Sequence, residues 1–315
     1  MHYLTVGGLT IDDIVVADAT VHRGVPGGNA LYAALGAALW SHDVGILSFV
    51  GEDYPRDVLH CLEDSGVDVS HVAHLDQRSI HLWILYEADG CRQICYQHHS
   101  SSLLELSSVV TAQVPLVGTD LAADGAVHLA ALPVALQRAI LPDLRLLGRP
   151  VTLDSIEARG TVGGDLAEYW EHNVFLGCAA FLPSRQEFDV IRGDRDADDT
   201  AWALARRDVR CVVVKDGRRG VDVYDALARS RYHIAAYDVA VVDPTGAGDA
   251  FCGGFLVGLG ETGDVREAAL RGVVSASFVI EGIGAMHMLK VPRAEVDRRL
   301  QTVRAAAPSS TARWS

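Results

Sequence analysis

The stretch of sequence that decides the fold runs from Asp243 to Phe251 and reads Asp-Pro-Thr-Gly-Ala-Gly-Asp-Ala-Phe. It follows the apolar run Val239–Val242 and precedes a helix-like segment, Cys252–Leu259. This order predicts a strand, a glycine-rich turn and a helix. The N–H groups at a helix start carry about half a positive elementary charge and attract phosphate. Because an aspartate in that first turn can accept a proton from a hydroxyl, the segment predicts an anion site beside a base.

Short apolar runs alternate with helix-length segments along the rest of the chain. The predicted strands are Tyr3–Val6, Val44–Phe49, Ala126–Leu129, Val151–Leu153, Val174–Leu176, Cys211–Val214 and Val239–Val242. The predicted helices include Ala30–Leu39, Arg56–Asp64, Val134–Leu141, Asp165–Glu171, Thr200–Ala205 and Val265–Ile280. Continuous apolar strands that alternate with helices are typical of α/β proteins whose parallel sheet is covered on both faces.

The composition of the 315 residues restricts the function. The net charge of −14 argues against nucleic-acid binding, which needs a basic face. The chain contains no uninterrupted apolar stretch of about 18 residues, so no membrane span is expected. Its start has no basic region before the apolar part, so no secretory signal is expected either. The six cysteines form no Cys-x-x-Cys pair, and the spacing of Cys91 and Cys95 favours hairpin geometry over a metal site. Most of the other cysteines lie in apolar runs, as buried thiols do in a reducing cytoplasm, where we expect the protein to reside.

A predicted hairpin interrupts the alternation of strands and helices. Ile80–Tyr86 and Cys91–Gln97 flank the turn segment Glu87–Gly90, which ends in Asp-Gly. Apolar residues lie on both faces of the first strand. One interpretation is that one face closes over a substrate while the other meets a second copy of the chain in a homodimer. The other is an ordinary hairpin packed on its own domain, and the sequence leaves both open.

The Asp243–Phe251 segment resembles the C-terminal signature of the PfkB carbohydrate kinase family, the ribokinase-like kinases. The resemblance implies that Asp249 is the catalytic base and that the backbone of Gly246, Ala247 and Gly248 forms the anion hole. It also implies a ribokinase-like three-layer α/β/α fold, with a mostly parallel central sheet and a small β lid. We expect a single kinase domain over residues 1–304, lid segments near 13–25 and 77–100, and a disordered tail over 305–315.

Two further segments resemble the part of this family that binds the acceptor. Asp12 ends an apolar strand at the position where the family has an aspartate that bonds substrate hydroxyls, although alone it would read as a turn or N-cap residue. Gly27 and Gly28, followed by Asn29, resemble the Gly-Gly pair that brings the backbone against the sugar. The chain departs from the family at Tyr32, where many members have asparagine. Either Asn29 substitutes for that asparagine or Tyr32 lines the site.

Other residues resemble the donor side of the family. Glu187 matches the acid of an Asn-x-x-Glu motif that orders Mg²⁺ and phosphates, largely through water, but Ser184 replaces the asparagine. The same spacing satisfies a helix capping box. Lys215 takes the place of a threonine in a strand-end segment with Gly217 and Gly220, where it could reach a phosphate of ATP, although these glycines could simply form turns. For the Asp243–Phe251 signature, the resemblance implies that Thr245 contacts the nucleotide. It also implies that Asp243 and Thr245 could contact a monovalent cation such as K⁺.

These resemblances imply an ATP- and Mg²⁺-dependent kinase that phosphorylates a hydroxymethyl-type alcohol of a sugar or nucleoside. The chain has no Gly-x-x-x-x-Gly-Lys-Ser/Thr segment and no His-Glu-x-x-His, which excludes P-loop enzymes and metalloproteases of that type. A non-catalytic sugar or nucleotide sensor on the same fold is the alternative. A dinucleotide-dependent oxidoreductase receives little support, because the opening Gly7-Gly8 lacks the Gly-x-Gly-x-x-Gly pattern.

Overall fold

The structure is a computed structural model that describes residues 1–16, 18–87, 92–97, 103–156, 174–175, 177–206, 209–307 and 312–313. Its strands are β1 (Tyr3–Val6), β2 (Thr10–Val15), β3 (Val21–Gly27), β4 (Val44–Val50), β5 (Val67–Asp68), β6 (Val72–His74), β7 (Ile80–Tyr86), β8 (Arg92–Tyr96), β9 (Ala126–Leu129), β10 (Val151–Leu153), β11 (Ala180–Phe181), β12 (Cys211–Lys215), β13 (Val221–Asp225), β14 (Ser230–Ile234) and β15 (Ala312–Arg313). Its α-helices are α1 (Asn29–Ala38), α2 (Arg56–Asp64), α3 (Glu105–Asp120), α4 (Val134–Leu146), α5 (Arg185–Arg192), α6 (Ala197–Ala205), α7 (Ala247–Thr262), α8 (Val265–Val279) and α9 (Arg293–Ala306). Two short 3-10 segments cover Gly217–Arg219 and Met286–Lys290.

The central sheet is mostly parallel and has the strand order β15-β14-β13-β12-β11-β10-β9-β1-β4-β5, with β6 also paired to β4. Strand β1 lies between β4 and β9 in parallel register, and β9 to β12 continue the parallel part. Only β13, β14 and β15 run antiparallel to their neighbours. Because parallel strands end at the same edge, the loops after β1, β10 and β12 meet on one side of the molecule.

Helices cover both faces of this sheet, and each face has its own apolar core. On one face α1, α2, α7, α8 and α9 pack against the strands. On the other face α3, α4, α5 and α6 form the second core. Successive side chains of β1 point to opposite faces of the sheet, so Tyr3 belongs to the first core and Leu4 to the second. The predicted three-layer α/β/α architecture is therefore confirmed.

Close backbone packing joins the two helices that flank the site, α1 and α7. A Cβ atom on Gly253 would overlap the carbonyl oxygen of Ala33, and one on Gly36 would overlap the backbone of Ala250. Glycine in the middle of a helix costs about 1 kcal/mol relative to alanine. At Gly36 and Gly253 the missing side chains let the backbones of α1 and α7 come into contact, so these two glycines serve packing.

A second, smaller sheet has the order β3-β2-β7-β8. Strands β2 and β7 are parallel, whereas β2–β3 and β7–β8 are antiparallel pairs. Strands β7 and β8 confirm the predicted hairpin, while its turn residues 88–91 lie outside the described residues. Ile80 and Ile84 are buried on one face, but Trp83 and Leu85 on the other face are only half-buried. The predicted small β-sheet thus exists, at the position expected for a lid.

Two predicted strands are wrong. Residues 239–242 form no strand, because the antiparallel β13 already occupies the sheet edge beside β12. Val241 and Val242 are exposed, and the N–H groups of Val242 and Asp243 donate to the carbonyl of Ile280. Val174 and Phe175 lie in a turn, and the strand beside β10 is Ala180–Phe181 instead. Both errors arose because a short apolar run shows burial or β-propensity but not whether a sheet edge is open to it.

The predicted helices agree with the structure where it describes them, and Asp165–Glu171 lies outside the described residues. The sequence analysis missed α3, which contains Pro115, and α9, which is mostly polar. The tail expected to be disordered begins inside α9, which continues to Ala306. In addition, the backbone of Ala312–Arg313 pairs with β14.

Candidate active site

The glycine-rich loop ends in a helix start, as the sequence predicts. Gly246 has a φ of +76°, a left-handed conformation that favours glycine, and α7 begins at the next residue. The N–H of Ala247 donates to the carbonyl of Pro244 at 3.3 Å, and its place in the anion hole stays a prediction. Within the described part of the chain, the N–H groups of Gly246 and Gly248 have no acceptor. These two groups can receive an anion.

Asp243 holds this loop in shape. Its Oδ1 atom accepts hydrogen bonds from the N–H of Thr245 at 2.9 Å and from the Thr245 hydroxyl at 2.6 Å. Its Oδ2 atom accepts from the N–H of Gly284 at 3.4 Å. The hydroxyl of Tyr86, at the end of β7 in the small sheet, donates to Thr245 Oγ1 at 2.8 Å. The small sheet therefore contacts the glycine-rich loop directly, and both oxygens of Asp243 are engaged.

Lys215 is paired rather than free. Its Nζ atom lies 2.6 Å from Asp154 Oδ2 and 3.5 Å from Cys252 Sγ. The side chains of Lys215 and Asp154 are only 11% and 5% exposed. A Cβ atom on Gly248 would lie 3.3 Å from Nζ, so the lysine sits directly beneath the start of α7. Its charge supports this corner of the site, while its contact with a phosphate stays a prediction.

Glu187 serves as both a capping residue and a member of the site. Its Oε2 atom accepts from the backbone N–H of Ser184 at 2.7 Å, and Ser184 Oγ accepts from the N–H of Glu187 at 3.3 Å, which completes the capping box. The same Oε2 atom accepts from the Ser155 hydroxyl at 2.6 Å. Because Ser155 follows Asp154 at the end of β10, the cap also brings Glu187 beside the Asp154–Lys215 pair.

The carboxyl groups of this corner influence one another. Burial raises the pKa of Asp249 to about 7, and the negative charge of Asp154 adds to the rise. Burial likewise raises the pKa of Glu187 to about 7, again with a contribution from Asp154. Lys215 opposes both shifts, and the acids in turn raise the pKa of its ammonium group although burial lowers it. The cluster thus contains three carboxyl groups and one lysine.

Asp12 lies on β2, in the small sheet. It is 1% exposed, and its Oδ1 atom has no hydrogen-bond partner among the described residues. Burial raises its pKa to about 7. A Cβ atom on Gly27 would overlap its carboxylate, and one on Gly28, which has a φ of +103°, would overlap the backbone of Gly8. The Gly-Gly pair therefore provides room for Asp12 and for the close approach of two chain segments.

Asn29 and Tyr32, the two candidates for the place of the family asparagine, have different surroundings. The Asn29 amide accepts from the N–H of Gly8 at 2.8 Å and donates to the carbonyl of Ala131 at 2.6 Å. It thus holds the loop after β1 against the loop after β9, and a contact with substrate stays a prediction. Tyr32 is 2% exposed, and its ring lies against Gly246. The structure therefore brings Tyr32, not Asn29, to the glycine-rich loop.

Gly217 and Gly220 lie beyond β12, after Lys215. Gly217 has a φ of +50°, and a Cβ atom there would have open space around it within the described structure. Gly220 has a φ of +94°, and a Cβ atom there would overlap the carbonyl of Ile234. The turn interpretation accounts for Gly220, while the open surroundings of Gly217 leave its backbone accessible. Nucleotide contacts by both glycines stay predictions.

The family model described as "pfkB family carbohydrate kinase" matches residues 12–292 of the chain. The chain belongs to the PfkB family. It is 28% identical over 284 residues to a cytidine kinase of Thermococcus kodakarensis, with 89% of this chain and 96% of that protein covered. This relative supports the family assignment. The substrate in its name belongs to the Thermococcus protein and is not assigned to this chain.

Solved structures confirm the ribokinase fold of this PfkB protein. A putative ribokinase II from E. coli, in complex with ATP and Mg²⁺, has a TM-score of 0.77 and 19% identity, with 95% of this chain and 99% of that chain covered. A nucleoside kinase from Burkholderia thailandensis, in complex with inosine, has a TM-score of 0.73 and 20% identity, with 97% of this chain and 100% of that chain covered. At these identities the likeness shows the fold alone.

Three residues near this PfkB site were not predicted from the sequence: Arg92, Asp154 and Cys252. Arg92 lies on β8, and its positive charge lowers the pKa of both Asp12 and Asp249, although burial raises both more. Each of these residues stands outside the motifs that carry the family resemblance. The one available signal was position, since Asp154 directly follows the predicted strand Val151–Leu153.

Two absences concern only the part of the chain that the structure describes. No group of three or more His, Cys, Asp or Glu side chains is arranged to hold a metal ion directly. No helix there is long and apolar enough to cross a membrane. Cys178, Cys211 and Cys252 are buried free thiols as predicted, whereas Cys61 and Cys95 are exposed.

Replacing Gly27 by alanine should reduce the catalytic efficiency toward the acceptor by about 100-fold, because a misplacement of about 1 Å has effects of that size. The added Cβ atom would lie 2.7 Å from Asp12 Cγ and must displace that side chain. Steady-state kinetics would measure the loss. Gly118→Ala is the matched control, since a Cβ atom there lies 3.7 Å from Leu147 and meets only ordinary contact. Equal kinetics of the Gly27 variant and the control would contradict the prediction.

Proposed function

We propose that this chain is an ATP-dependent kinase that phosphorylates a hydroxymethyl-type alcohol of a sugar or nucleoside. The observation that carries the proposal is the position of Asp249, in the first turn of α7, beside N–H groups of Gly246 and Gly248 that lack an acceptor in the described structure. Its pKa of about 7 is suited to a general base at neutral pH. Membership of the PfkB family supports the same reaction.

In this proposal Asp249 accepts the proton of the acceptor hydroxyl. The acceptor oxygen then forms a bond to the γ-phosphorus of ATP while the bond from that phosphorus to the β-phosphate oxygen breaks, and ADP leaves; Mg²⁺ would balance the charge of the phosphates. The N–H groups of Gly246 and Gly248, at the positive end of α7, stabilise the negative charge that develops on the transferred group. Catalysis of this kind depends mainly on positioning and charge, which is what the rigid turn after Asp243 provides.

The donor side of the site fits a divalent cation bound together with phosphates. Asp154, Glu187 and Asp249 lie around Lys215, and the negative charge of Asp154 adds to burial in raising the pKa values of Glu187 and Asp249. A bound cation would offset this negative charge. We propose that Glu187 holds Mg²⁺ through water, as the resemblance to the family's Asn-x-x-Glu motif implies.

Further nucleotide contacts are proposed for Lys215, Gly217, Gly220 and Thr245. Lys215 lies beneath Gly248, close to the proposed phosphoryl position. Thr245 is buried, its N–H and hydroxyl are bonded to Asp243 and its hydroxyl also to Tyr86, so its contact with the nucleotide stays a prediction. The monovalent cation at Asp243, the lid role of the small sheet and a homodimer through the hairpin stay predictions.

A phosphorylation screen tests the proposed function. Purified protein would be incubated with ATP and Mg²⁺ and with ribose, fructose, cytidine, inosine and other pentoses, hexoses and nucleosides, and ADP release would be measured. We expect acceptor-dependent ADP release with at least one compound. Binding of a compound by calorimetry without any ATP consumption would instead support the non-catalytic sensor.

The pH dependence of activity and of stability should have opposite signs. The rate should rise with pH and level off above about 7, because Asp249 must be ionised to accept a proton. The raised pKa means that the folded protein binds more protons than the unfolded chain between about pH 4 and 7. Stability should therefore fall as pH rises through this range, with Asp12 and Glu187 acting in the same direction.

Steady-state kinetics and chemical denaturation between pH 5 and 8.5 would measure the two trends. The Asp249→Asn variant is the control for stability, because it should show a shallower decline than the wild type. A rate that is constant across this range would contradict a base with a pKa of about 7.

A further inference from the structure

The side chain of Tyr32 connects the two halves of the site. Its ring lies so close to Gly246 that a Cβ atom on this glycine would overlap three ring atoms. The ring therefore supports the loop that carries the anion-binding N–H groups. Its hydroxyl is buried and, within the described residues, has no hydrogen-bond partner.

The surroundings of this hydroxyl are acidic. Burial raises the pKa of Tyr32 well above 10. The carboxyl groups of Asp12, Asp243 and Asp249 raise it further, which places the hydroxyl within electrostatic range of the proposed acceptor residue and the proposed base. Asp243 is engaged with Thr245 and Gly284, whereas Asp12 Oδ1 lacks a partner in the described structure.

A buried polar group without a partner is costly and therefore calls for an explanation. Tyr32 Oη and Asp12 Oδ1 are two such atoms among the described residues, and the hydroxyl of Thr10, which lies beside Asp12, is a third. The tyrosine hydroxyl can donate a hydrogen bond and the carboxylate oxygen can accept one. One hydroxyl of a ligand could accept a hydrogen bond from Tyr32 and donate one to Asp12. A single ligand group would then satisfy both atoms.

We propose that the Tyr32 hydroxyl binds an acceptor hydroxyl close to the hydroxymethyl group that is phosphorylated, and so selects acceptors that carry a hydroxyl at this position. This proposal rests on the proposed kinase function and names the acceptor feature that it recognises. Tyr32 is thus a substrate-binding residue of this chain, and its ring links acceptor recognition to the anion loop.

The Tyr32→Phe variant removes the hydroxyl and keeps the ring on Gly246. We expect the KM for the acceptor to rise about tenfold, with the KM for ATP unchanged. The free protein should be at least as stable as the wild type, because the variant removes an unpaired buried hydroxyl. The control is Tyr224→Phe, since Tyr224 is equally buried but donates to Asp198 at 2.6 Å. This control should lose stability and keep both KM values.

Deoxy analogues identify the hydroxyl that Tyr32 recognises. Ribose with 2-deoxyribose, and cytidine with 2′-deoxycytidine and 3′-deoxycytidine, would be compared with wild type and Tyr32→Phe. For one position, wild type should prefer the hydroxylated compound, and the variant should lose most of that preference. An unchanged acceptor KM in Tyr32→Phe, or the same preference in both proteins, would overturn the proposal.

Two measurements separate failure of this proposal from failure of the proposed function. If no compound is phosphorylated, the kinase function fails, and calorimetric binding of the same compounds to wild type and Tyr32→Phe still tests the hydroxyl. Weaker binding to the variant would support the proposal, and equal binding or no binding would overturn it. A loss of stability in Tyr32→Phe as large as that of Tyr224→Phe would also overturn it, because the hydroxyl would then be paired in the free protein.

Discussion

The Asp249→Asn variant should phosphorylate its acceptor about 10²–10⁴-fold more slowly than the wild type, the range usually lost with a general base. Asparagine has nearly the same shape but cannot take up the proton. The N–H groups of Gly246 and Gly248 are unaffected, because they belong to the backbone. ATP affinity should therefore remain close to that of the wild type. Single-turnover kinetics would measure the phosphoryl-transfer step, and calorimetry would measure ATP binding.

Asp238→Asn is the matched control, because Asp238 lies five positions before Asp243 in the same extended segment and is exposed. This variant should retain full activity. Near wild-type turnover by Asp249→Asn would rule out the proposed role. Loss of ATP binding together with activity would point to a damaged loop instead, and the test would then be repeated with Asp249→Glu, which keeps the carboxyl group.

The Lys215→Met variant should lose about 3–5 kcal/mol of stability, the usual effect of removing one partner from a buried ion pair. Asp154 would then be a buried carboxylate without its cation, because Lys215 Nζ lies 2.6 Å from it. Lys215 also lowers the pKa of Asp249, so its removal should move the rise of the pH–rate profile to higher pH. Urea denaturation and the pH–rate profile would measure the two effects.

Lys290→Met is the natural control, since Lys290 is the other lysine of the sequence and is exposed. Its stability should stay within about 0.5 kcal/mol of the wild type. Adding Asp154→Leu to Lys215→Met should recover part of the lost stability, because it removes the unpaired charge. If Lys215→Met alone were as stable as Lys290→Met, the ion pair would not support the fold.

The parts of the candidate site that are contiguous in the chain could be predicted from the sequence. The residues from Asp243 to Asp249 form their turn largely through local hydrogen bonds, such as that between Thr245 and Asp243. The capping box of Ser184 and Glu187 is also local. Patterns of this kind can be found by spacing alone, because all their partners lie within a few residues.

The wrong and missing predictions concern segments whose structure depends on distant parts of the chain. The apolar run Val239–Val242 was predicted as a strand, but β13 occupies the edge that it would need. Helix α9 was not predicted because few of its residues are apolar. Its side chains Val296, Arg299 and Val303 are nevertheless buried. In each case the secondary structure of the segment depends on contacts with elements that are distant in the chain. Hydrophobic periodicity describes only neighbouring residues and cannot predict such contacts.

By itself the sequence determined the class of the fold, the glycine-rich turn at a helix start, and the position of Asp249 within it. Only the tertiary structure decided that Lys215 pairs with Asp154, that Glu187 bonds to the neighbouring Ser155, and that the buried ring of Tyr32 lies against Gly246. The physical reason is the separation along the chain between the residues that interact. Turns and caps are stabilised by neighbours in the chain, whereas ion pairs and buried hydroxyls depend on strands and helices that meet only when the whole sheet has formed.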